Sequence, residues 1–120
     1  MVTVLVDAQN VRRSLWPNVA ATELVELLAA WADDEQVQAL AVFDGPPPET
    51  PRHAAVDVAG TAGESADDRI AAEAEMRAAR GEPFWLVTSD RGLRARAGGA
   101  AARTIGGGAF ARLLTGAARR

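Results

Sequence analysis

VTVLVD, residues 2–7, is a short β-branched run that ends on an aspartate. Valine and threonine are stiff at χ1 and favour strands, and a near-continuous apolar run this short suits a strand buried on both faces. The same grammar returns twice. VQALAVFDG (37–45) and FWLVTSD (84–90) are again apolar runs that reach an aspartate. Two weaker runs, AAVDVAG (54–60) and AARTI (101–105), bring the expected strands to five.

Helical patterns fill the spaces between them. Residues after Asp7 read as a loop, and Asn18 is expected to cap a helix running to about Ala32. Leu24, Leu27, Leu28 and Trp31 form its apolar stripe, and Asp33 to Glu35 read as a solvated turn. PPPETPR (46–52) suits neither a helix nor a central strand. A helix is expected from about Ser65 to Arg80, stopped by Gly81 and Pro83. RGLRARAG (91–98) opens a short arginine-rich helix, and GGGAFARLLTG (106–116) leads into a last one. Strands alternating with helices predict an α/β fold with an open, mostly parallel sheet covered on both faces. One link fits badly: strands two and three leave fewer residues than a parallel crossover usually takes.

A chain of 120 residues with 48% apolar side chains suits one domain spanning 1–120. No apolar run approaches the roughly 18 residues of a membrane span, and with a strand expected from Val2 no leader is expected. There is no cysteine, hence no disulfide framework and no thiolate metal site. A cytoplasmic protein is the expectation.

All thirteen positive side chains are arginine, which excludes a lysine-bearing phosphate loop and Schiff-base chemistry. His53 is the lone histidine, so histidine-rich zinc sites are excluded too. Any catalysis by this chain falls to carboxylates, alone or with a metal ion. Charge is also unevenly spread. Residues 1–83 carry six arginines against fifteen acids, whereas residues 84–120 carry seven arginines against Asp90 alone. An acidic region beside a basic one suits a site for a cation and a polyanion together.

Asp7, Asp44 and Asp90 each close an expected strand, and in open α/β sheets that edge is where ligands bind. The helix beginning near Ser65 starts from the same edge, bringing Asp67 and Asp68. Each aspartate taken singly reads more readily as a helix cap or turn residue. Ser65 and Asp68 even fit a capping box with aspartate in place of glutamate. Asp67 is left over, because adjacent helical positions point about 100° apart. Carboxylates converging with no lysine or histidine nearby repel one another unless a hard divalent cation sits among them.

DAQN (7–10), ADDRI (66–70) and TSDRGLRAR (88–96) resemble the NYN branch of the PIN-like nucleases, particularly its YacP-like bacterial group. That family reads DGxN after strand one, TAD or SAD at a helix start, and TSD or TAD after strand four. The likeness runs along most of the chain, closing glycine-rich segment included. It implies a PIN-like sheet in the order 3-2-1-4-5 and a Mg²⁺- or Mn²⁺-dependent ribonuclease. Asp7, Asp67 and Asp90 would be catalytic, metal-binding carboxylates, Asp68 a further ligand, and Asn10 a helper near metal or phosphate. RNA is the implied partner, and for some members it is ribosome-associated mRNA. Two features depart from the pattern. Ala8 stands where the family has glycine, and the short link between strands two and three lacks a substrate-covering insertion.

Arg91, Arg94 and Arg96 follow Asp90 directly and are candidate phosphate contacts, since guanidinium forks match phosphate oxygens. Arg12 and Arg13 join them, and the neighbouring Trp16 reads either as packing or as a base-stacking ring. Thr88 and Ser89 are expected to orient Asp90 or a metal-bound water, and Asp44 to support the rim. Trp85 reads as core or rim packing. His53 reads as a surface residue, and Gly106 to Gly108 as a flexible turn that permits left-handed backbone rather than a phosphate cradle. Two alternatives stay open: a non-catalytic RNA- or ribosome-binding module of the same fold, and a metal-dependent phosphatase of small substrates.

Overall fold

The computed structural model of the chain describes residues 1–118. Strand β1 (Thr3–Asp7) lies at the centre, parallel to β2 (Gln38–Val42) on one side and β4 (Phe84–Val87) on the other. β3 (Val56–Ala59) and β5 (Arg103–Ile105) form the edges. The sheet is parallel throughout, in the order β3-β2-β1-β4-β5 that the sequence predicts. Register aligns Asp7 with Val42 and Val6 with Val87, so the central strands end together at one rim.

Alternation along the strands divides the core in two, because successive side chains point to opposite faces. Val4, Val6, Ala39, Ala41, Val87 and Ile105 face one way, under α1 (Ala8–Arg13), α2 (Ala21–Glu35) and α5 (Gly107–Ala118). Leu5, Leu40, Val42, Phe84 and Leu86 face the other way, under α3 (Ala66–Arg80) and α4 (Arg91–Ala97). Each large side chain so buried contributes roughly 1.5–3 kcal/mol. Trp31 meets Phe110 edge-on at 4.8 Å and Trp85 at 6.4 Å, which ties α2 to α5 and to β4.

Several local expectations change. The segment after Asp7 is a helix rather than a loop, and Ala8, Val11 and Leu15 bury its inner face. α2 is preceded by Ala20, not by an Asn18 cap, and extends through Asp33, Asp34 and Glu35. Acidic residues disfavour a helix C-terminus, but Trp31, Ala32 and Val37 are buried there, and Gln36 closes the helix with φ 56°. The awkward link resolves because β2 and β3 are shorter than expected, leaving residues 43–55 to make the crossover without a helix. His53 is half-buried instead of exposed: its antiparallel bridge to Val56 folds it against the edge strand. Gly106, Gly107 and Gly108 are not left-handed. Gly107 is required for room, since a Cβ there would collide with the Asn10 side chain.

No described helix is long and apolar enough to cross a membrane.

Candidate functional site

Asp7 is the last residue of β1 and stands at the N-cap position of α1, yet it makes no capping hydrogen bond. It is 5% exposed, and its Oδ2 accepts a 2.9 Å hydrogen bond from the Thr88 hydroxyl. Thr88 is wholly buried just beyond β4, and the same hydroxyl oxygen accepts from the Asp90 amide at 3.1 Å. One threonine therefore joins two of the expected catalytic aspartates. Burial pushes the Asp7 carboxyl above its ordinary range, and the Asp67 charge adds to this. Thr88, the nearby Asn10 backbone amide (too poorly placed to count as a cap) and the Arg13 charge oppose the rise.

Asp67 lies in the first turn of α3, half-buried, and accepts no hydrogen bond among the described residues. Its pKa is also raised, by burial first and then by the charges of Asp90 and Asp44, with Asp68 adding a smaller push. Arg96 opposes them. The structure thus brings Asp7, Asp67 and Asp90 within electrostatic reach at one rim, with Asp44 beside them.

The other acids have structural partners. Asp44, just past β2, accepts from the Ala66 amide at 2.8 Å and so anchors the start of α3. Ser65 Oγ accepts from the Asp68 amide at 3.1 Å, the first arm of the expected capping box. The Asp68 carboxylate is 3.0 Å from the Arg96 guanidinium. That hydrogen bond, with help from Ser65, lowers its pKa. Asp90 Oδ1 accepts from the Leu93 amide at 2.8 Å and caps α4. Capping does not remove Asp90 from the rim: its charge still reaches Asp67.

Asn10 and Ser89 lock the opposite side. Asn10 Oδ1 accepts from the Ser89 amide at 3.0 Å, and Ser89 Oγ accepts from the Gly107 amide at 2.7 Å. Asn10 therefore braces the strand-four loop, and Ser89 holds the first turn of α5. Sequence reasoning gave both residues direct roles near the metal and missed these long-range hydrogen bonds. Two polar residues at the end of an apolar strand were the only signal.

Of the five arginines expected at phosphate, three are tied down. Arg12 Nε donates to the Val19 carbonyl at 3.1 Å, Arg94 Nε donates to the Thr88 carbonyl at 3.0 Å, and Arg96 pairs with Asp68. Arg13 and Arg91 are exposed, and Arg13 is close enough for its charge to lower the pKa of Asp7.

Among the described residues, no group of three or more histidine, aspartate or glutamate side chains is arranged to hold an ion directly. The donors nonetheless fit Mg²⁺ or Mn²⁺ in kind. They are hard oxygens, and burial first, with neighbouring carboxylate charge added, raises the pKa of Asp7 and Asp67. Mg²⁺ commonly keeps several waters and takes only one or two carboxylates.

No family model matches the sequence, and no curated protein matches it either. Solved structures do. Rae1 (YacP) from Bacillus subtilis superposes with a TM-score of 0.78 and 21% identity, covering 100% of this chain and 77% of that one. A point mutant of the same protein gives 0.76 and 22%, covering 100% and 79%. The chain has a YacP-like fold.

Proposed function

We propose that the protein is a divalent-metal-dependent ribonuclease whose acidic rim hydrolyses RNA phosphodiester bonds. The observation that carries this reading is Asp67. Among the described residues it is a carboxylate without a hydrogen-bond partner, raised in pKa by burial and then by the charges of Asp90, Asp44 and Asp68, at the edge where three neighbouring strands end. A structural aspartate would have a donor, as Asp44, Asp68 and Asp90 do. Repulsion of this kind costs stability and is relieved by a cation. The YacP-like fold and the NYN-type motif order support the same reading.

In this proposal Asp7, Asp67 and Asp90 hold the metal, with Asp68 available at the margin if Arg96 releases it. Bound there, Mg²⁺ or Mn²⁺ supplies the positive charge that polarises a phosphodiester and lowers the pKa of a water. Thr88 donates to Oδ2, which fixes the orientation of Asp7 and favours its ionised form against the effect of burial. Arg13 and Arg91 meet flanking phosphates, while Arg94 braces the Thr88 carbonyl from behind. The rim is open, with Ser89, Asp90, Arg91 and Asp68 exposed, which suits a polymer better than a small phosphate ester. RNA, including ribosome-associated mRNA, is the proposed partner.

A second reading, an RNA-binding module without catalysis, is favoured by the structural duties of Asp44, Asp68 and Asp90. The deciding experiment is cleavage of an unstructured RNA with Mn²⁺, with Mg²⁺ and with EDTA. Metal-dependent cleavage that Asp67→Asn abolishes supports the nuclease. RNA binding without cleavage under any metal would leave the binding module.

A further inference from the structure

The three tryptophans have different surroundings. Trp31 is 3% exposed and packs on Phe110, and Trp85 packs on Trp31 beneath Arg103. Trp16 is 91% exposed. A bare indole gives up the large burial that makes aromatic rings useful in a fold. It is, however, a rigid platform that loses little entropy when something stacks on it.

Next to Trp16 in the chain is a cleft of about 160 Å³, lined by Gln9, Arg12, Arg13, Asn18 and Val19. One wall is α1 and the other is the segment leading to α2, so Trp16 sits in the turn that joins them. Arg12 fixes the cleft from within. Its Nε donates to the Val19 carbonyl and its guanidinium donates to Gln9 Oε1 at 3.1 Å, which leaves the Gln9 amide hydrogens to point elsewhere. Asn18 and Arg13 are exposed beside it. The cleft therefore offers amide donors and acceptors and an exposed guanidinium, and the exposed ring of Trp16 lies two residues along the chain from its Asn18 wall.

We propose that Trp16 and this cleft form a nucleobase subsite for single-stranded RNA. One base stacks on the indole, presents its edge to Gln9 and Asn18, and directs its phosphate toward Arg13. Side-chain amides match the hydrogen-bonding edges of unpaired bases. A protein partner would instead favour an apolar pocket around its aromatic anchor. The inference rests on the ribonuclease reading and adds to it a register for the substrate. α1 has six residues, or about 9 Å at helical rise, which puts Trp16 within roughly 20 Å of Asp7. Arg13, whose charge is felt at Asp7, lies along that path. The stacked base is thus a few nucleotides from the bond that would be cut.

The test is binding of a short unstructured RNA by fluorescence anisotropy in EDTA, so that nothing is cleaved. Wild type, Trp16→Ala and Trp16→Phe are compared, each with the intact RNA and with RNAs abasic at one position in turn. Trp16→Ala should bind about tenfold more weakly, with an unchanged melting temperature because the residue is 91% exposed. Trp16→Phe should keep most of the affinity. One abasic position should weaken wild type to a similar degree and cost Trp16→Ala little further. If wild type binds RNA but Trp16→Ala binds equally well, the subsite is refuted and the ribonuclease reading stands. If every abasic position is equivalent, the subsite is likewise refuted. If wild type binds no RNA in EDTA yet cleaves it with Mn²⁺, the ribonuclease reading stands and the subsite is refuted, because stacking on Trp16 needs no metal. If it neither binds nor cleaves, both are lost.

Discussion

Thr88 hands its hydroxyl hydrogen to Asp7 across 2.9 Å, although the two residues are 81 positions apart in the chain. The same oxygen receives the Asp90 amide, so the end of β1 and the end of β4 are pinned by one buried side chain. Thr88→Val keeps the shape and removes both functions. The Asp90 amide loses its acceptor and Asp7 loses its donor in a site that water scarcely reaches. Leaving such groups unsatisfied should cost about 1–3 kcal/mol in denaturant unfolding. The Asp7 pKa should rise further, and cleavage should fall. A variant as stable as wild type, with an unmoved Asp7 titration by NMR, would show that the hydroxyl is incidental.

The helix cap offers a cleaner separation. Ser65, not the Asp68 carboxylate, is the acceptor seen at the start of α3, and Asp68 is turned toward Arg96. Ser65→Ala should therefore lose about 0.5–2 kcal/mol. Asp68→Asn should leave stability nearly unchanged and free Arg96 for phosphate, tightening RNA binding at low salt. If Asp68→Asn destabilises more than Ser65→Ala, the carboxylate is the true cap.

Much of the architecture was legible because the strands carry their burial in their composition. VTVLVD and FWLVTSD are apolar on both faces, and only a central parallel strand requires that. α1 was hidden because it follows a strand directly and its N-cap aspartate makes no capping bond. The acidic end of α2 was misread for a different reason: local charge argued for a turn, and tertiary burial of Trp31 and Ala32 overrode it. At the site, the aspartates themselves were legible from their places after strands. Their partners were not. Asp44 reaches Ala66 across 22 residues and Asn10 reaches Ser89 across 79, and no spacing rule encodes such contacts.

Gly107 matters for a reason other than backbone freedom. Its φ is not left-handed, but a Cβ on it would run into the Asn10 and Ser14 side chains. Gly107→Ala would force Asn10 off the Ser89 amide and strain the bond from Gly107 to Ser89. Overpacking of this kind should cost about 1–3 kcal/mol and should shift the amide resonances of Ser89 and Asp90. Gly108→Ala, with open space around it, should do neither. Equal effects at the two positions would contradict the close-approach argument.

Among the arginines, the exposed ones that no described residue holds by a hydrogen bond or ion pair should carry the RNA. Arg13 and Arg91 are exposed, whereas Arg94 and Arg96 hold the Thr88 carbonyl and Asp68. Each phosphate contact on single-stranded nucleic acid contributes about 0.7 to the slope of log affinity against log salt. Arg13→Ala with Arg91→Ala should flatten the slope by roughly 1.4 and leave the melting temperature alone. Arg94→Ala should lower stability as well as affinity. An unchanged slope in the double variant would move the RNA surface elsewhere.

Asp67 decides whether the rim serves a metal or merely a helix. The folded state raises the pKa of both Asp67 and Asp7, whereas unfolded aspartates titrate near about 3.9. A raised carboxyl pKa means that the folded protein holds the proton more tightly than the unfolded chain does. Below the unfolded value both states are protonated and nothing is lost. As pH climbs through the unfolded value and then the folded one, the cluster costs stability, and that cost persists at neutral pH. Asp67→Asn removes the charge at almost constant shape. In EDTA at pH 7 it should therefore melt no lower than wild type, and preferably higher, with the advantage shrinking toward pH 3. Added Mg²⁺ should raise the melting temperature of wild type more than that of the variant, because the cation repays only charge that is present. Cleavage by the variant should be lost. Suppose instead that Asp67→Asn melts lower in EDTA at pH 7 and that Mg²⁺ shifts both proteins equally. Asp67 would then be stabilising the start of α3, and a metal site at this rim would have no support.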